Sequence, residues 1–172
     1  TDSWNSICTG RWSSSVVNKL RFVFLGVFYI NQKFKMIPPH NNQYSRLMAL
    51  SKLGIVNDYS KIKKFTVVIV GIGGIGAVAT EMLARCGIGK LVLFDYDNVE
   101  LANMNRMFFV PNQVGMSKID AAIDTIKRIN PDVVVEGHCL NICTIAGYEL
   151  LRDCMQNSNL LLCCVDNYTA RL

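Results

Sequence analysis

The run VVIVGIGGIG at Val67–Gly76 constrains this chain more than any other stretch. Four β-formers meet a cluster of four glycines, and an amphipathic helical pattern follows. Gly71, Gly73 and Gly76 satisfy GxGxxG, with Gly74 between them. Glycine permits a tight strand-to-helix turn and lets backbone N–H groups approach a phosphate at a helix N-terminus. The motif alone is weak. A nicotinamide enzyme, a flavoprotein, an ATP-using enzyme and a purely structural turn all remain open.

The rest of the chain supplies the context such a loop needs. Phe65–Val70 reads as a buried strand. Ile75–Cys86 reads as a helix through Val78, Met82 and Leu83, with Gly87 at its end. Lys90–Asp95 is the second strand. Ser117–Ile129 is a helix with Ile119, Ala122, Ile123, Ile126 and Ile129 on one face. Asp132–Leu140 is the third strand, Thr144–Met155 a helix, and Leu160–Val165 a fourth, buried strand. Strands alternating with helices predict an α/β class: a Rossmann-like, mostly parallel sheet with helices on both faces. Ahead of it, SRLMALSKLGI predicts a short helix ended by Gly54.

In such a sheet, ligands sit at the carboxyl ends of the strands. Asp95 ends the second strand nineteen residues after Gly76, the spacing of an acid that binds ribose hydroxyls. This leaves NAD and ATP equally possible. Asn103 and Arg106 follow in DNVELANMNRMFF, and Lys118 opens a helix. Cations there suit an enzyme that attacks the α-phosphate, where charge builds on phosphoryl oxygens and departing pyrophosphate. Singly, each could be a surface charge. Asn141 follows the third strand; Asp166 and Asn167 follow the fourth. Asp166 is placed as a Mg²⁺ ligand beside phosphate, with helix capping as the competing role.

Charge divides the chain. Residues 1–65 carry ten Lys/Arg against two Asp/Glu, a net +8, and residues 66–172 carry eight against eleven, a net −3. The basic residues are scattered, so nucleic acid is not expected as a partner. Phe22–Ile30 is apolar, but nine residues are too few for a membrane-spanning helix. It begins late for a signal peptide, and NQKFK makes a poor cleavage site. No membrane association is expected, and residues 1–43 are assigned to a poorly ordered extension, with Met36 as an alternative start. The seven cysteines are an odd number in mostly apolar segments, which points to free thiols in a reducing cytoplasm. A zinc site would have to use His138, Cys139, Cys143 and Cys154. No CxxC pair exists, so zinc is not expected in this chain.

The ordered set VGIGGIG, LFDYDNVELANMNR, VGMSKIDAA, INPDV and CVDNYTAR resembles the ubiquitin-type activating enzymes, the ThiF/MoeB-like family with bacterial members in thiamine and molybdopterin synthesis. The resemblance runs from about Tyr44 to Leu172. It implies that a modifier's C-terminal carboxylate attacks ATP to give an acyl-adenylate and pyrophosphate, before acyl transfer to an enzyme cysteine. It implies Gly74 against the phosphates and Asp95 on the ribose. Arg106 and Lys118 would act on phosphate charge, Asn141 and Asn167 would line the pocket, and Asp166 would hold Mg²⁺. Arg46 would reach the partner's site in a homodimer, and Asn103 would flank the nucleotide. A ubiquitin-fold modifier and its conjugating enzyme are the implied partners, in cytoplasm or nucleus. None of the seven cysteines matches the family's catalytic position. The chain is therefore expected to hold the N-terminal half of an adenylation domain, with the thioester cysteine and any zinc pairs outside it.

Overall fold

The computed structural model describes residues 42–105 and 108–167. The extension assigned to residues 1–43 lies almost wholly outside them, as does Arg106. Four strands form one sheet: β1 (Thr66–Val70), β2 (Lys90–Asp95), β3 (Val134–Cys139) and β4 (Leu160–Cys163). Their spatial order is β3-β2-β1-β4, and every pairing is parallel. The register sets Val67 against Leu91 and Leu160, and Ile69 against Leu93 and Leu162. The helices are α1 (Ser45–Lys52), α2 (Gly74–Arg85), α3 (Lys118–Ile129) and α4 (Ile145–Gln156).

Side chains alternate across the central strands, so each face buries its own set. Val67, Ile69, Leu91 and Leu93 pack with Ala77 and Ala84 of α2 and with Ile119, Ala122 and Ile126 of α3. Val68, Val70, Val92 and Phe94 face the other way, toward Leu151 of α4. The first cluster holds sixteen buried residues and the second five. At roughly 1.5–3 kcal/mol per fully buried large apolar side chain, α4 is held far less firmly than α2 and α3.

Two details depart from the sequence reading. Helix α2 buries Gly76, Ala77, Thr80 and Ala84, while Val78 and Met82 face outward. The helix lies too close to the glycine turn for larger residues: a Cβ at Gly76 would stand 1.8 Å from the Gly71 carbonyl oxygen. The fourth strand is also not buried. It lies at the edge of the described sheet, with Leu160 and Cys163 exposed, and Cys164 falls just past its end.

Local signals set the ends of the elements. Helix α2 stops in a Schellman turn: Gly87 N donates to Ala84 O, Ile88 N to Leu83 O, and Gly87 has φ +76°. Ser117 and Thr144 cap α3 and α4 by accepting from the N–H of Asp120 and Gly147. Helix α1 packs at the amino ends of the strands. There Tyr44 lies against Gly87, and the buried Asn130 donates to both Tyr44 Oη and Ala84 O at 2.7 Å.

Candidate functional site

In the order β3-β2-β1-β4 the chain runs outward from β1 in one direction and then returns to β1's other side. The reversal lies between β1 and β4, and a crevice opens at their carboxyl ends. A cavity of about 420 Å³ occupies this position. It is lined by the turn after β1, the residues after β2, Lys118 at the start of α3, the loop after β3, and the residues after β4.

The glycine turn is held open toward the cavity. Gly71 has φ +88°, and its N–H donates to Phe94 O at 2.8 Å. Gly73 stands at the N-cap of α2 and brings no side-chain cap. The first-turn N–H groups therefore have no intrahelical acceptor, which makes this helix end a binding place for an anion. Gly73, Gly74 and Ile75 line the cavity, and Gly76 sits buried behind them.

Asp95 lines the wall opposite. It is buried, and its carboxylate joins two loops: Oδ2 accepts from Ile72 N at 2.6 Å and Oδ1 from Asp97 N at 2.9 Å. A carboxylate has about four acceptor positions, so capacity remains for ribose hydroxyls. Lys118 enters from α3. Its Nζ donates to Asp97 Oδ2 at 2.8 Å, and its backbone N–H donates to Asp97 O at 2.9 Å. The bridge Asn98–Ser117 fixes the two segments side by side. The Lys118 side chain is only 12% exposed. One of its three N–H donors is committed to Asp97, and two remain. A cation in the first turn of a helix opposes the helix dipole, at about 0.3–1 kcal/mol. Here that local preference is overridden, and the Asp97 carboxylate offsets part of the cost.

The cavity brings together Gly71, Gly73, Gly74, Asp95, Asn103, Lys118, Asn141, Asp166 and Asn167. Asp166 is exposed, and among the described residues its carboxylate has no hydrogen-bond or ion-pair partner. Arg46 is not brought there: it is exposed on α1, at the opposite end of the strands. Asp97 was the role missed in the sequence. Its position two residues past Asp95 is a signal only once the cation it holds is known. Cys143 and Cys164 also line the cavity. Burial, and then the neighbouring Cys163, push the Cys164 thiol up, so it stays protonated and is a poor nucleophile.

Sheet order, glycine turn and switch-point cavity together define a Rossmann-like α/β ligand-binding domain. The chain belongs to the ThiF family, whose model matches residues 44–172. It is similar to "Ubiquitin-like modifier-activating enzyme 5" of Arabidopsis thaliana, 55% identical over 144 residues, covering 77% of this chain and 33% of that protein. The Gallus gallus protein of the same name is 56% identical over 140 residues, covering 77% and 35%. Among solved structures, Escherichia coli MccB with ATP matches at TM-score 0.60 and 31% identity, covering 65% of this chain and 35% of that one. The chain thus spans about a third of the length of the curated relatives it matches.

Proposed function

We propose that this chain supplies the ATP-binding part of an enzyme that activates a ubiquitin-like modifier. In this reading the modifier's C-terminal carboxylate attacks the α-phosphate of ATP, forming an acyl-adenylate and releasing pyrophosphate. The observation that carries it is the convergence of an uncapped helix N-terminus, Lys118 and Asp166 on one switch-point cavity. Three charge-bearing features around one cavity suit phosphoryl chemistry better than hydride transfer, which needs no added cation. The modifier is suggested by the names of the two relatives, and ATP by the nucleotide with which MccB was crystallised.

Each residue then has a task. The N–H groups at Gly74 and Ile75 bind phosphate oxygens, and Asp95 takes the ribose. Lys118, anchored by Asp97, presents its two remaining donors to charge developing at the α-phosphate. Arg106 also offsets that negative charge, and Asn103, Asn141 and Asn167 border the nucleotide. The hard, unpartnered carboxylate of Asp166 fits the Mg²⁺ that accompanies ATP. When bound, that ion neutralises charge on the phosphate oxygens. Arg46 lies too far from its own cavity to serve it and acts, in this reading, in the partner's site of a homodimer. None of the seven cysteines is assigned the thioester step. The modifier is the ubiquitin-fold modifier, passed on to its conjugating enzyme in the cytoplasm.

ATP–pyrophosphate exchange tests this, on the chain and on any longer product of the same reading frame. Exchange should require a modifier with a free C-terminal carboxylate. Lys118→Ala and Asp166→Ala should each lower it by about 10²–10³-fold, the scale of losing one transition-state charge contact. Exchange that survives both substitutions refutes the site.

A further inference from the structure

On the sheet face away from α2 and α3, the structure gathers three donors that the nucleotide reading does not use. Glu136 and His138 are alternate residues of β3, so both point to the face that α4 covers. Cys154 comes from the last turns of α4 and packs against the same small apolar cluster. Their ligand atoms lie within 4.8 Å of one another. The sequence raises no expectation of zinc here, and offers only His138, Cys139, Cys143 and Cys154 as residues that a site would have to use. The fold keeps His138 and Cys154, exposes Cys139 and Cys143, and adds Glu136.

We propose that Glu136, His138 and Cys154 form a three-ligand site for a zinc-like divalent cation that ties α4 to the edge strand β3. A thiolate, an imidazole and a carboxylate are the donors such an ion takes. His138 Nε2 lies 2.9 Å from Glu136 Oε1. Tetrahedral bonds of about 2.0–2.3 Å place ligand atoms roughly 3.3–3.7 Å apart, so the pair need open by only about half an ångström. Outer-shell support is in place. Lys90 Nζ holds the other carboxylate oxygen, Oε2, at 2.6 Å, and so aims Oε1 at the site. The His138 ring rests on Phe94, with centroids 4.7 Å apart.

Without an ion, the Lys90–Glu136–His138 chain satisfies Glu136, and the Cys154 thiol remains protonated. Burial raises that thiol's pKa, as do the charges of Glu136 and Asp153, against the lowering effect of Lys90. On binding, the Sγ–H bond breaks, the Sγ–metal bond forms, and the proton leaves to solvent. The benefit falls on a helix with little buried surface of its own. Helix α4 buries only Gly147 and Leu151, while Ile145, Tyr148 and Met155 are exposed. The site is independent of what the switch-point cavity binds.

Titrating the full chain with Co²⁺ tests it. A thiolate-to-cobalt charge-transfer band should appear, with the intense visible bands of a tetrahedral ion, and Zn²⁺ should displace both. Cys154→Ser should abolish the charge-transfer band, and Cys139→Ser should leave it intact. Glu136→Gln, at a part-exposed position that does not threaten folding, should weaken binding at least tenfold. At equal concentration, Zn²⁺ should raise the melting temperature of the native chain more than that of Glu136→Gln. Absence of the band, its survival in Cys154→Ser, its loss in Cys139→Ser, or undiminished binding in Glu136→Gln overturns the proposal.

Discussion

Tyr59 shows how one side chain ties a segment to the sheet. It lies in the 3₁₀ turn Tyr59–Lys64; its N–H donates to Ser51 Oγ at 3.0 Å, and its hydroxyl donates to the Cys86 carbonyl beside the end of α2. Burial, and after it the neighbouring Cys86 and Tyr44, push its pKa from 10.0 up to about 12. The raised value means the folded state favours the neutral phenol. The stabilisation is therefore complete below the unfolded value and is lost as pH climbs toward the folded one. Tyr59→Phe should cost about 0.5–1.5 kcal/mol near neutral pH, the net worth of one hydrogen bond. Denaturant unfolding of both proteins should show the gap narrowing between about pH 10 and about pH 12. At the same scale, strand ends and a helix start in the sequence point to Asp95, Lys118 and Asp166, and the fold brings the three to one cavity. The sequence did not reveal what Asp97 does. Its partner Lys118 is twenty-one positions away, and only folding joins them.

Among the elements, strand and helix positions were readable because periodicity and end signals agreed; β2 falls at Lys90–Asp95, as the sequence predicts. The faces were harder. The large apolar residues Val78 and Met82 mark a helical stripe, yet α2 turns its small residues inward, since Gly76 must pass the Gly71 carbonyl. Periodicity finds the helix but cannot say how closely it must approach the sheet. Likewise LLLCCV looks the same for a central strand as for an edge strand. Here, among the described residues, β4 pairs with β1 alone, and Leu160 and Cys163 at its two ends stay exposed. The junction at Asn130 carries a prediction of this scale. Its side chain is 1% exposed, donates to Tyr44 Oη and Ala84 O, and accepts from Gln43 Nε2 and Asp132 N. It thereby joins the ends of α2 and α3 to the start of α1. Asn130→Ala leaves the Ala84 carbonyl without that buried donor, and chemical denaturation should register a loss of about 1–3 kcal/mol. A loss under about 0.5 kcal/mol, less than one net hydrogen bond, would mean the junction is not structural.

For the whole molecule, the arrangement rests on one topological fact: the chain reverses at β1, and the loops it leaves behind share a cavity. The parallel sheet, the helices on both faces and membership of the ThiF family follow from structure and comparison. Among the described residues, no helix is long and apolar enough to cross a membrane. Which ligand fills the cavity separates phosphoryl from hydride chemistry, and equilibrium titration reads it. Mg-ATP should bind the chain, and NAD⁺ should neither match its affinity nor displace it. Lys118→Ala should weaken Mg-ATP at least tenfold, since a charge-assisted hydrogen bond contributes about 1.5–3 kcal/mol and a factor of ten is about 1.4. Tighter binding of NAD⁺ than of Mg-ATP, or an unchanged affinity in Lys118→Ala, would rule out an ATP site built on Lys118.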